Sequence, residues 1–317
     1  MKRVLLTGAN GFVGRSLCAA LGQSGYEVRA AVRSAAVAVP GAVRTVCVGD
    51  ISGQTRWQHA LEGVDFVIHA AARAHQVNDS KHNSGLYTSI NTEGTACLAR
   101  AAATAGVQRL VFLSTVKVNG EENDAHAYTA TDEPHPQDVY GMSKWLAEQA
   151  VNEVCARTKL QAAIVRPPLV YGPGVRANFL RLMRWTDAQR PLPLGSVQNR
   201  RSLISIWNLC DLLINVLVNP AAGNRTWMAS DADDLSTPEL VRRLAAAMRR
   251  RTHLLPVPVM LLRGLGWISG RSGEVSRLCG SLAVDVTETR SALGWSPPLS
   301  VDEGLARTVA WYLSEAR

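Results

Sequence analysis

The sequence predicts an α/β protein with a Rossmann-like, doubly wound parallel sheet and a smaller α/β lobe at the C-terminal end. Two observations predict this class. Short β-rich segments alternate with helical segments through the first half, and a glycine-rich turn follows the first strand. Apolar strands separated by helices are typical of a parallel sheet covered on both faces. A length of 317 residues favours about two structural units.

The first half contains the predicted dinucleotide-binding domain, at residues 1–166. Its apolar strands are expected at residues 4–6, 27–32, 43–48, 65–69, 110–114 and 162–166. Its helices are expected from the glycine turn to about residue 22, near 91–103 and at 139–157. Proline and glycine crowd into residues 167–174, which indicates a break in regular structure.

The second part, residues 167–317, is predicted to be a smaller substrate-binding lobe. Shorter elements are expected there: helices near 178–186 and 208–218 and a strand near 203–206. Ser236 and Glu239 form one capping-box pattern, and Ser300 and Glu303 form another, so a helix is expected to begin at each. We expect the chain to cross between the two lobes more than once.

Composition and charge narrow the possible classes of function. Apolar residues make up 47% and charged residues 19% of the chain, which excludes global disorder. The formal charge of +8 favours anionic partners without choosing among them. The six cysteines are scattered without metal-ligand spacing, so we predict free thiols and no metal site. Neither a signal peptide nor an apolar run of about 20 residues is found. These features predict a cytoplasmic protein without stable membrane insertion.

A phosphate-binding loop is predicted between the first strand and the first helix. The segment TGANGFVG places Gly8, Gly11 and Gly14 in a GxxGxxG pattern. Gly8 permits a tight turn, Gly11 lets a pyrophosphate approach the backbone, and Gly14 permits close helix–strand packing. The helix that follows offers unpaired N–H groups and a positive dipole end. We assign Asn10, Phe12 and Val13 to the same cofactor site.

The residues that follow the second and third predicted strands indicate which dinucleotide is bound. Arg33 stands about where an acid would hold a ribose 2′-hydroxyl, and an arginine suits a 2′-phosphate. We therefore predict NADP or NAD, with NADPH used at least as well as NADH. The alternative is an exposed arginine beside a cofactor held by other contacts. Asp50, followed by Ile51, either accepts from the adenine amino group or is a turn residue.

The fourth strand ends in HAAA, residues 69–72. The small side chains of Ala70, Ala71 and Ala72 would let the backbone lie against the cofactor. His69 is expected to be a packed, hydrogen-bonded histidine rather than a catalyst.

Tyr140 and Lys144 form a YxxxK pattern, whose spacing places both side chains on one face of a helix. The free pKa of tyrosine is about 10, so a neighbouring ammonium and a positive nicotinamide are expected to lower it. The phenol could then exchange a proton with a sugar hydroxyl while hydride moves. Thr115, at the end of the fifth strand, could hydrogen-bond the same oxygen.

Seven motifs occur in order across residues 7–174: TGANGFVG, GDI, HAAA, SINTEGT, FLSTVKVNG, YGMSK and RPPLVYGPG. Together they resemble the extended short-chain dehydrogenase/reductase family, in its nucleotide-sugar epimerase/dehydratase branch. The later segments RSLISI and LGWSP are similar too, so the resemblance covers nearly the whole chain.

This resemblance implies roles for individual residues. Thr115, Tyr140 and Lys144 match the catalytic set, with Ser114 beside them at the cofactor. Asn91 matches an asparagine that steadies the active-site helix and its water. Further matches are Pro168 and Leu169 at the nicotinamide, and Asn178 and Arg201 at the diphosphate of a nucleotide-sugar substrate. Relatives often pair through the helices that carry YxxxK, which implies a homodimer.

Three reactions at the sugar are compared. Dehydratases of this branch carry an Asp-Glu pair after the active-site threonine, whereas Val116 and Lys117 stand here, which disfavours dehydration. We interpret the chain first as a 4-ketoreductase of a UDP-4-keto-6-deoxy sugar, because of Arg33 and the segment around Lys117. The alternative is a UDP-glucose or UDP-N-acetylglucosamine 4-epimerase. Lys117 would either touch the sugar or face solvent.

A reading from a different class is a cofactor-binding scaffold that touches an anionic membrane or nucleic acid. Five arginines flank a predicted helix: Arg242, Arg243, Arg249, Arg250 and Arg251. An apolar, proline-containing stretch follows from residue 254. The simpler expectation is a solvated helix face and a packed loop. Aromatic residues are not interleaved with these arginines, so no nucleic-acid partner is predicted.

Overall fold

A computed structural model describes residues 1–73, 84–123 and 126–316 of the chain. Within these ranges, seven parallel strands form one sheet in the order β3-β2-β1-β4-β5-β6-β9, and two strands form a small parallel pair. The strands are β1 Arg3–Thr7, β2 Glu27–Val32, β3 Arg44–Cys47, β4 Phe66–His69, β5 Arg109–Leu113, β6 Gln161–Arg166, β7 Leu169–Tyr171, β8 Leu203–Ser205 and β9 Arg225–Met228. The predicted Rossmann-like class is confirmed.

The central strand β1 shows why the sheet is parallel and buried. Val4, Leu5 and Leu6 are fully buried, because helices cover both faces of the sheet and an uninterrupted apolar run fits such a strand. β1 pairs with β2 on one side and β4 on the other, and the strand order reverses between them. Ligands of open α/β sheets bind at such a switch point, beyond the carboxyl ends of the strands.

Helices cover the two faces of the sheet and build the second lobe. They are α1 Phe12–Gln23, α2 Gln58–Leu61, α3 Ser84–Tyr87, α4 Gly94–Thr104, α5 Val139–Arg157, α6 Ala177–Asp187, α7 Ile206–Val218, α8 Thr237–Met248, α9 Val259–Ile268, α10 Ser272–Cys279, α11 Thr287–Leu293 and α12 Val301–Trp311. Helices α1 and α7 pack on one face of the sheet, and α4 and α5 pack on the other. A separate apolar core joins α6, α8, α12 and the β7–β8 pair.

The chain returns to the large sheet after residue 166. Strand β9 pairs in parallel with β6, and α7 packs against the face that α1 also covers. Between these returns, the chain builds the second core. The large sheet therefore takes its last strand, β9, from the part of the chain after residue 166. The predicted domain boundary at residue 166 stays a prediction.

Some elements differ from the sequence expectation. The helix expected near 91–103 begins with a π-helical turn at Thr88–Glu93, which continues into α4. The capping box at Ser300–Glu303 is present, and Ser236 accepts a hydrogen bond from the backbone N–H of Glu239. The loop expected after residue 254 instead contains helix α9, which packs against α10 through one narrow face.

No helix in the described part of the chain is long and apolar enough to cross a bilayer. No cluster of three or more His, Cys, Asp or Glu side chains in those ranges could hold a metal ion, and the six cysteines are free thiols.

Candidate active site

The glycine loop packs so closely that side chains cannot replace its hydrogens. Gly8 has a φ of +69°, and a Cβ there would lie 2.7 Å from the backbone nitrogen of Ala71. A Cβ on Gly14 would lie 2.0 Å from the carbonyl oxygen of Gly8. The N–H of Gly11 donates to that carbonyl, at 2.9 Å. The first helix therefore begins directly against the carboxyl ends of β1 and β4, as a phosphate cradle requires.

A cleft of about 540 Å³ opens beside this loop. The structure brings seven of the predicted cofactor residues to its walls: Gly8, Asn10, Arg33, Asp50, Ile51, Ala71 and Ala72. Gly11 and Phe12 line a neighbouring depression that shares Asn10, whereas Val13 packs on the core under the sheet and Ala70 lies against Gly8. A glycine cradle and a cleft of this size fit a dinucleotide. Individual binding roles stay predictions.

The two candidate adenosine-binding residues contact each other. The Arg33 Nε lies 2.8 Å from Asp50 Oδ1, and both side chains are more than three-quarters exposed. An ion pair this exposed contributes little to stability, so it can open at small cost. A 2′-phosphate would have to compete with Asp50 for the guanidinium.

His69 is buried and hydrogen-bonded, as predicted. The Thr7 hydroxyl accepts from the N–H of Ala71 and lies 2.6 Å from Nδ1 of His69. The Thr95 hydroxyl donates to the carbonyl oxygen of Asn91 and lies 2.9 Å from Nε2 of His69. Since the Thr95 proton is already used, Nε2–H donates to Thr95 and Nδ1 accepts from Thr7. Burial, and then the charge of Lys144, lower the pKa of His69 to about 3, so the ring is neutral.

Asn91 connects the π-helical turn to the turn of α5 that carries Tyr140. Its side-chain amide donates to the Ser143 hydroxyl at 2.9 Å, and Ser143 donates to the carbonyl oxygen of Tyr140 at 2.8 Å. The Asn91 Oδ1 accepts from the N–H of Arg73, and the Thr92 hydroxyl donates to the carbonyl of Ser143. These contacts fix the first turns of α5, which is the positioning role expected of Asn91.

The pKa values of Tyr140 and Lys144 differ from the sequence expectation. The pKa of Tyr140 is raised to about 12, by burial and then by the negative charge of Asp138 and by Tyr87. The pKa of Lys144 is lowered to about 7 by burial, and the charge of Glu148 opposes this shift. The protein groups around Tyr140 thus raise its pKa. The acidification predicted from the sequence depends also on the positive charge of the nicotinamide, and it stays a prediction.

A buried ion-pair network lies beneath the catalytic helix. Glu148, one helical turn after Lys144, accepts from Arg166 Nε at 3.0 Å and from the Ser114 hydroxyl. Arg166 also donates to Asn119 at 3.1 Å. The ammonium of Lys144 lies 3.9 Å from the centre of the Phe112 ring. This network holds α5 across the ends of β5 and β6, and it occupies the Ser114 hydroxyl that the sequence assigned to the cofactor.

A second, half-exposed network holds the start of α5 against the turn that follows Thr115. Asp138 caps the helix by accepting from the N–H of Gly141, at 2.6 Å. Lys117 forms ion pairs with Asp138 at 2.6 Å and Glu121 at 2.8 Å. A Cβ on Gly141 would lie 2.7 Å from the Lys117 carbonyl oxygen. The ammonium of Lys117 is partly exposed and joins the segments that carry Thr115 and Tyr140. Contact of Lys117 with a sugar stays a prediction.

The second lobe contains a separate pocket of about 120 Å³. Asn178 and Arg201, the two predicted diphosphate residues, both line it. Arg201 is half-buried, donates to the carbonyl of Gly280 at 2.9 Å, and has a pKa lowered mainly by desolvation. Leu169 lines this pocket as well, while Pro168 lies between β6 and β7, so contact of these two with the nicotinamide stays a prediction.

Sequence reasoning missed several residues of this pocket. Arg181 donates to Asn178 at 3.1 Å and forms an ion pair with Glu274 of α10 at 3.0 Å. Arg277 follows one turn later on α10 and also lines the pocket. Their positions come from α6 and α10, almost a hundred residues apart, so no local spacing could have revealed them. Glu148 and Asp138 were detectable, because one stands four residues after Lys144 and the other at a helix start.

The fold and site define a class: a Rossmann-type, dinucleotide-binding enzyme with a Tyr–Lys pair on one helix. The model of the NAD dependent epimerase/dehydratase family matches residues 4–228. The chain therefore belongs to the NAD-dependent epimerase/dehydratase family. This confirms the family resemblance, the assignment as an enzyme and the nicotinamide cofactor, and it leaves the scaffold interpretation without support.

Three relatives show where in the family the chain lies. It is 42% identical to a UDP-glucose 4-epimerase of Vibrio cholerae, over 98% of this chain and 96% of the relative. It is 28% identical to an N-acetyl-α-D-glucosaminyl-diphospho-ditrans,octacis-undecaprenol 4-epimerase of Escherichia coli O157:H7, over 99% and 96%. The solved structure of MoeE5 in complex with UDP-glucose and NAD matches with a TM-score of 0.77 and 26% identity, over 98% of both chains.

Proposed function

We propose that the protein is an NAD-dependent 4-epimerase of a UDP-hexose, such as UDP-glucose or UDP-N-acetylglucosamine. The observation that carries this proposal is the 42% identity to a UDP-glucose 4-epimerase along nearly the whole chain, together with the Tyr140–Lys144 pair. The comparisons support the epimerase alternative better than the 4-ketoreductase interpretation preferred from the sequence.

The carboxylates around Thr115 support a reaction at C4 without dehydration. Glu121 and Asp138 are paired with Lys117, and Glu148 is paired with Arg166. A dehydratase needs a carboxyl group that can give and take a proton at the sugar. Among the described residues near this turn, the three acids are instead held in ion pairs, so they are poor candidates for that task.

Tyr140 is the proposed proton carrier of the reaction. Since the substrate carries a hydroxyl at C4, Tyr140 would first accept that hydroxyl's proton as a phenolate while the hydride leaves C4, and would return the proton when the hydride comes back. Burial and nearby groups raise its pKa to about 12, so formation of the phenolate needs added positive charge nearby. Bound NAD would supply the hydride acceptor at C4 and, after the keto sugar has rotated, the hydride donor. Thr115 would hydrogen-bond the C4 oxygen, and Lys144 would hold the nicotinamide ribose.

The second pocket is the proposed site for the substrate diphosphate. Arg181, Arg201 and Arg277 all line this pocket. A guanidinium group can bind two phosphate oxygens at once through two parallel hydrogen bonds. A second candidate substrate is a hexosamine on a polyprenyl diphosphate. It is supported by the undecaprenol-linked relative, and by the fact that the same pocket would receive the diphosphate of either substrate.

The assembly and the exact cofactor belong to the proposal too. A homodimer formed through α5, as the family resemblance implies, stays a prediction. A 4-epimerase returns the hydride that it removes, so a tightly held NAD that recycles suits the reaction. Arg33 favours additional acceptance of NADP.

The test begins with the purified protein and no added cofactor. Acid-released NAD is measured first, and then UDP-glucose, UDP-N-acetylglucosamine and a polyprenyl-diphosphate N-acetylglucosamine are offered separately. We expect conversion of at least one to its C4 epimer, followed by NMR of the anomeric protons. The Tyr140→Phe variant should keep its NAD and lose at least a thousandfold in kcat, whereas Tyr26→Phe, outside the cleft, should lose less than twofold.

The competing outcome is specific. Oxidation of added NADPH by a UDP-4-keto-6-deoxy sugar, with no epimerisation of any of the three substrates, would establish the ketoreductase instead. Full activity of the Tyr140→Phe variant would remove both versions of the chemistry.

A further inference from the structure

Helix α9 presents an apolar surface to solvent. Its side chains Met260, Leu261, Leu265, Trp267 and Ile268 are between 60% and 81% exposed. Of the fourteen large apolar side chains that are exposed in the described part of the chain, six lie between residues 255 and 268. Isolated exposed apolar residues are ordinary, but a cluster of this kind marks a surface with a partner. We call these five side chains the α9 face.

The helix is held rigidly enough to present this surface. Leu262 and Gly266, one turn apart, form its buried side. A Cβ on Gly266 would lie 2.7 Å from Cγ2 of Val275, so α9 and α10 pack closely at this point. The helix is apolar on both sides, but only the side with Leu262 and Gly266 is buried in the fold. Core packing therefore does not explain why the exposed α9 face is apolar.

The charge around the α9 face selects the partner. Residues 249–277 contain six arginines and one acid, Glu274, so they carry +5 of the net +8 of the whole chain. Glu274 is itself paired with Arg181. Arg251, Arg263 and Arg271 are exposed, and no carboxylate among the described residues lies within 4 Å of them. The surroundings of the face are thus strongly positive.

We propose that the α9 face docks on an anionic phospholipid bilayer. A short helix with apolar side chains and flanking arginines lies in the interface, with its apolar side among the acyl chains and its arginines at the phosphates. Ten residues of helix extend about 15 Å, half of a bilayer's hydrocarbon core, so the helix lies on the membrane rather than across it. A second copy of the chain is a poorer partner, because two such faces would bring like charges together.

Docking also sets the position of the second pocket. Helix α10 lies against α9 and contributes Glu274, Arg277 and Leu278 to the pocket wall. The pocket wall would therefore include a helix that packs directly against the docked one. The α9 face lies outside the catalytic cleft, so membrane docking is compatible with either candidate substrate.

Vesicle flotation with the full chain tests the proposal. Vesicles of phosphatidylcholine alone are compared with vesicles containing 30% phosphatidylglycerol, at low and moderate salt. We expect binding to the anionic vesicles that is at least tenfold stronger than to the neutral ones. The triple variant Met260→Ser, Leu265→Ser, Ile268→Ser should bind at least tenfold more weakly, and so should Arg263→Gln combined with Arg271→Gln. Val43→Ser, at a valine that is 69% exposed elsewhere, should bind as the wild type does.

Two measurements keep a negative result informative. The triple variant should retain its circular dichroism, its NAD and its turnover of a soluble UDP-sugar, which separates docking from catalysis. Fluorescence quenching by bromolipids should be lost in Trp267→Phe, since Trp267 is 79% exposed and would lie in the acyl layer. Equal binding of wild type and triple variant would overturn the proposal. So would a wild-type dimer that the triple variant converts to monomers without any vesicle binding by either protein.

Discussion

The cofactor cleft and the second pocket are built in opposite ways. The cleft depends on close backbone packing: a Cβ on Gly8 or Gly14 would clash with neighbouring backbone, although side chains such as Arg33 and Asp50 also line the cleft. The second pocket is made by side chains: three arginines, from α6, the segment before β8 and α10, lie among mostly apolar residues. A backbone site tolerates almost no added atoms, whereas a side-chain site can change its ligand by single substitutions. Substitutions in the second pocket can therefore change its ligand without disturbing the cofactor cleft.

The largest expected effect comes from the buried ion pair between Glu148 and Arg166, which lies beneath the catalytic helix. Replacing Glu148 by Gln leaves Arg166 buried, at 4% exposure, without its carboxylate. Breaking a buried pair from one side costs about 3 kcal/mol or more, which denaturant unfolding measures. The exposed pair Arg225–Glu288 is the matched control, and Glu288→Gln should cost less than about 0.5 kcal/mol. Equal costs for the two variants would show that burial of the network is unimportant.

The same variant has a pH signature. The charge of Glu148 raises the pKa of Lys144, so its removal should lower that pKa below about 7. If the ammonium is the active form, kcat/KM falls as pH rises through the pKa of Lys144. This limb should then move to lower pH in Glu148→Gln. An unchanged pH profile would mean that Lys144 does not titrate in the active range.

The next effect tests the backbone site. In Gly14→Ala, the new Cβ meets the Gly8 carbonyl oxygen, which must shift and spoil the phosphate cradle. Overpacking costs about 1–3 kcal/mol, and we expect NAD affinity to fall by about a hundredfold in a fluorescence titration. Gly22→Ala, on the same helix with its nearest contact at 3.8 Å, should bind NAD normally and be slightly stabilised. Normal NAD binding by Gly14→Ala would contradict the proposal that the glycine loop binds the phosphates of NAD.

A smaller effect tests the side-chain site. Arg201→Gln should raise the KM for a UDP-sugar by about tenfold, the loss of one charge-assisted contact, and should leave kcat within threefold. NAD affinity should not change, because Arg201 lies in the second pocket. Its neighbour Arg200, which is exposed and pairs with Asp234, provides the control Arg200→Gln. If kcat fell as much as kcat/KM, Arg201 would have to act at the reacting atoms.

The smallest effect lies at the edge of the cleft. Arg33→Ala should weaken NADPH about threefold, with little change for NADH, since Asp50 already competes for the exposed guanidinium. Competition titrations at low salt measure both affinities. Arg56→Ala, exposed outside the cleft, is the control. A loss for NADH equal to that for NADPH would contradict a role at the 2′ position.

The sequence by itself determined the glycine loop and the Tyr140–Lys144 pair, because each depends on residues a few positions apart. It also determined the family and the parallel sheet, because the order of the motifs and the alternation of strands and helices can be read along the chain. Only the tertiary structure decided the charge states and pairings. It gave Lys117 two carboxylate partners, occupied Ser114 with Glu148 and raised rather than lowered the pKa of Tyr140. It also left the α9 face exposed where a packed loop was expected. Burial and ion pairing join residues that are distant in sequence, and spacing alone carries no information about them.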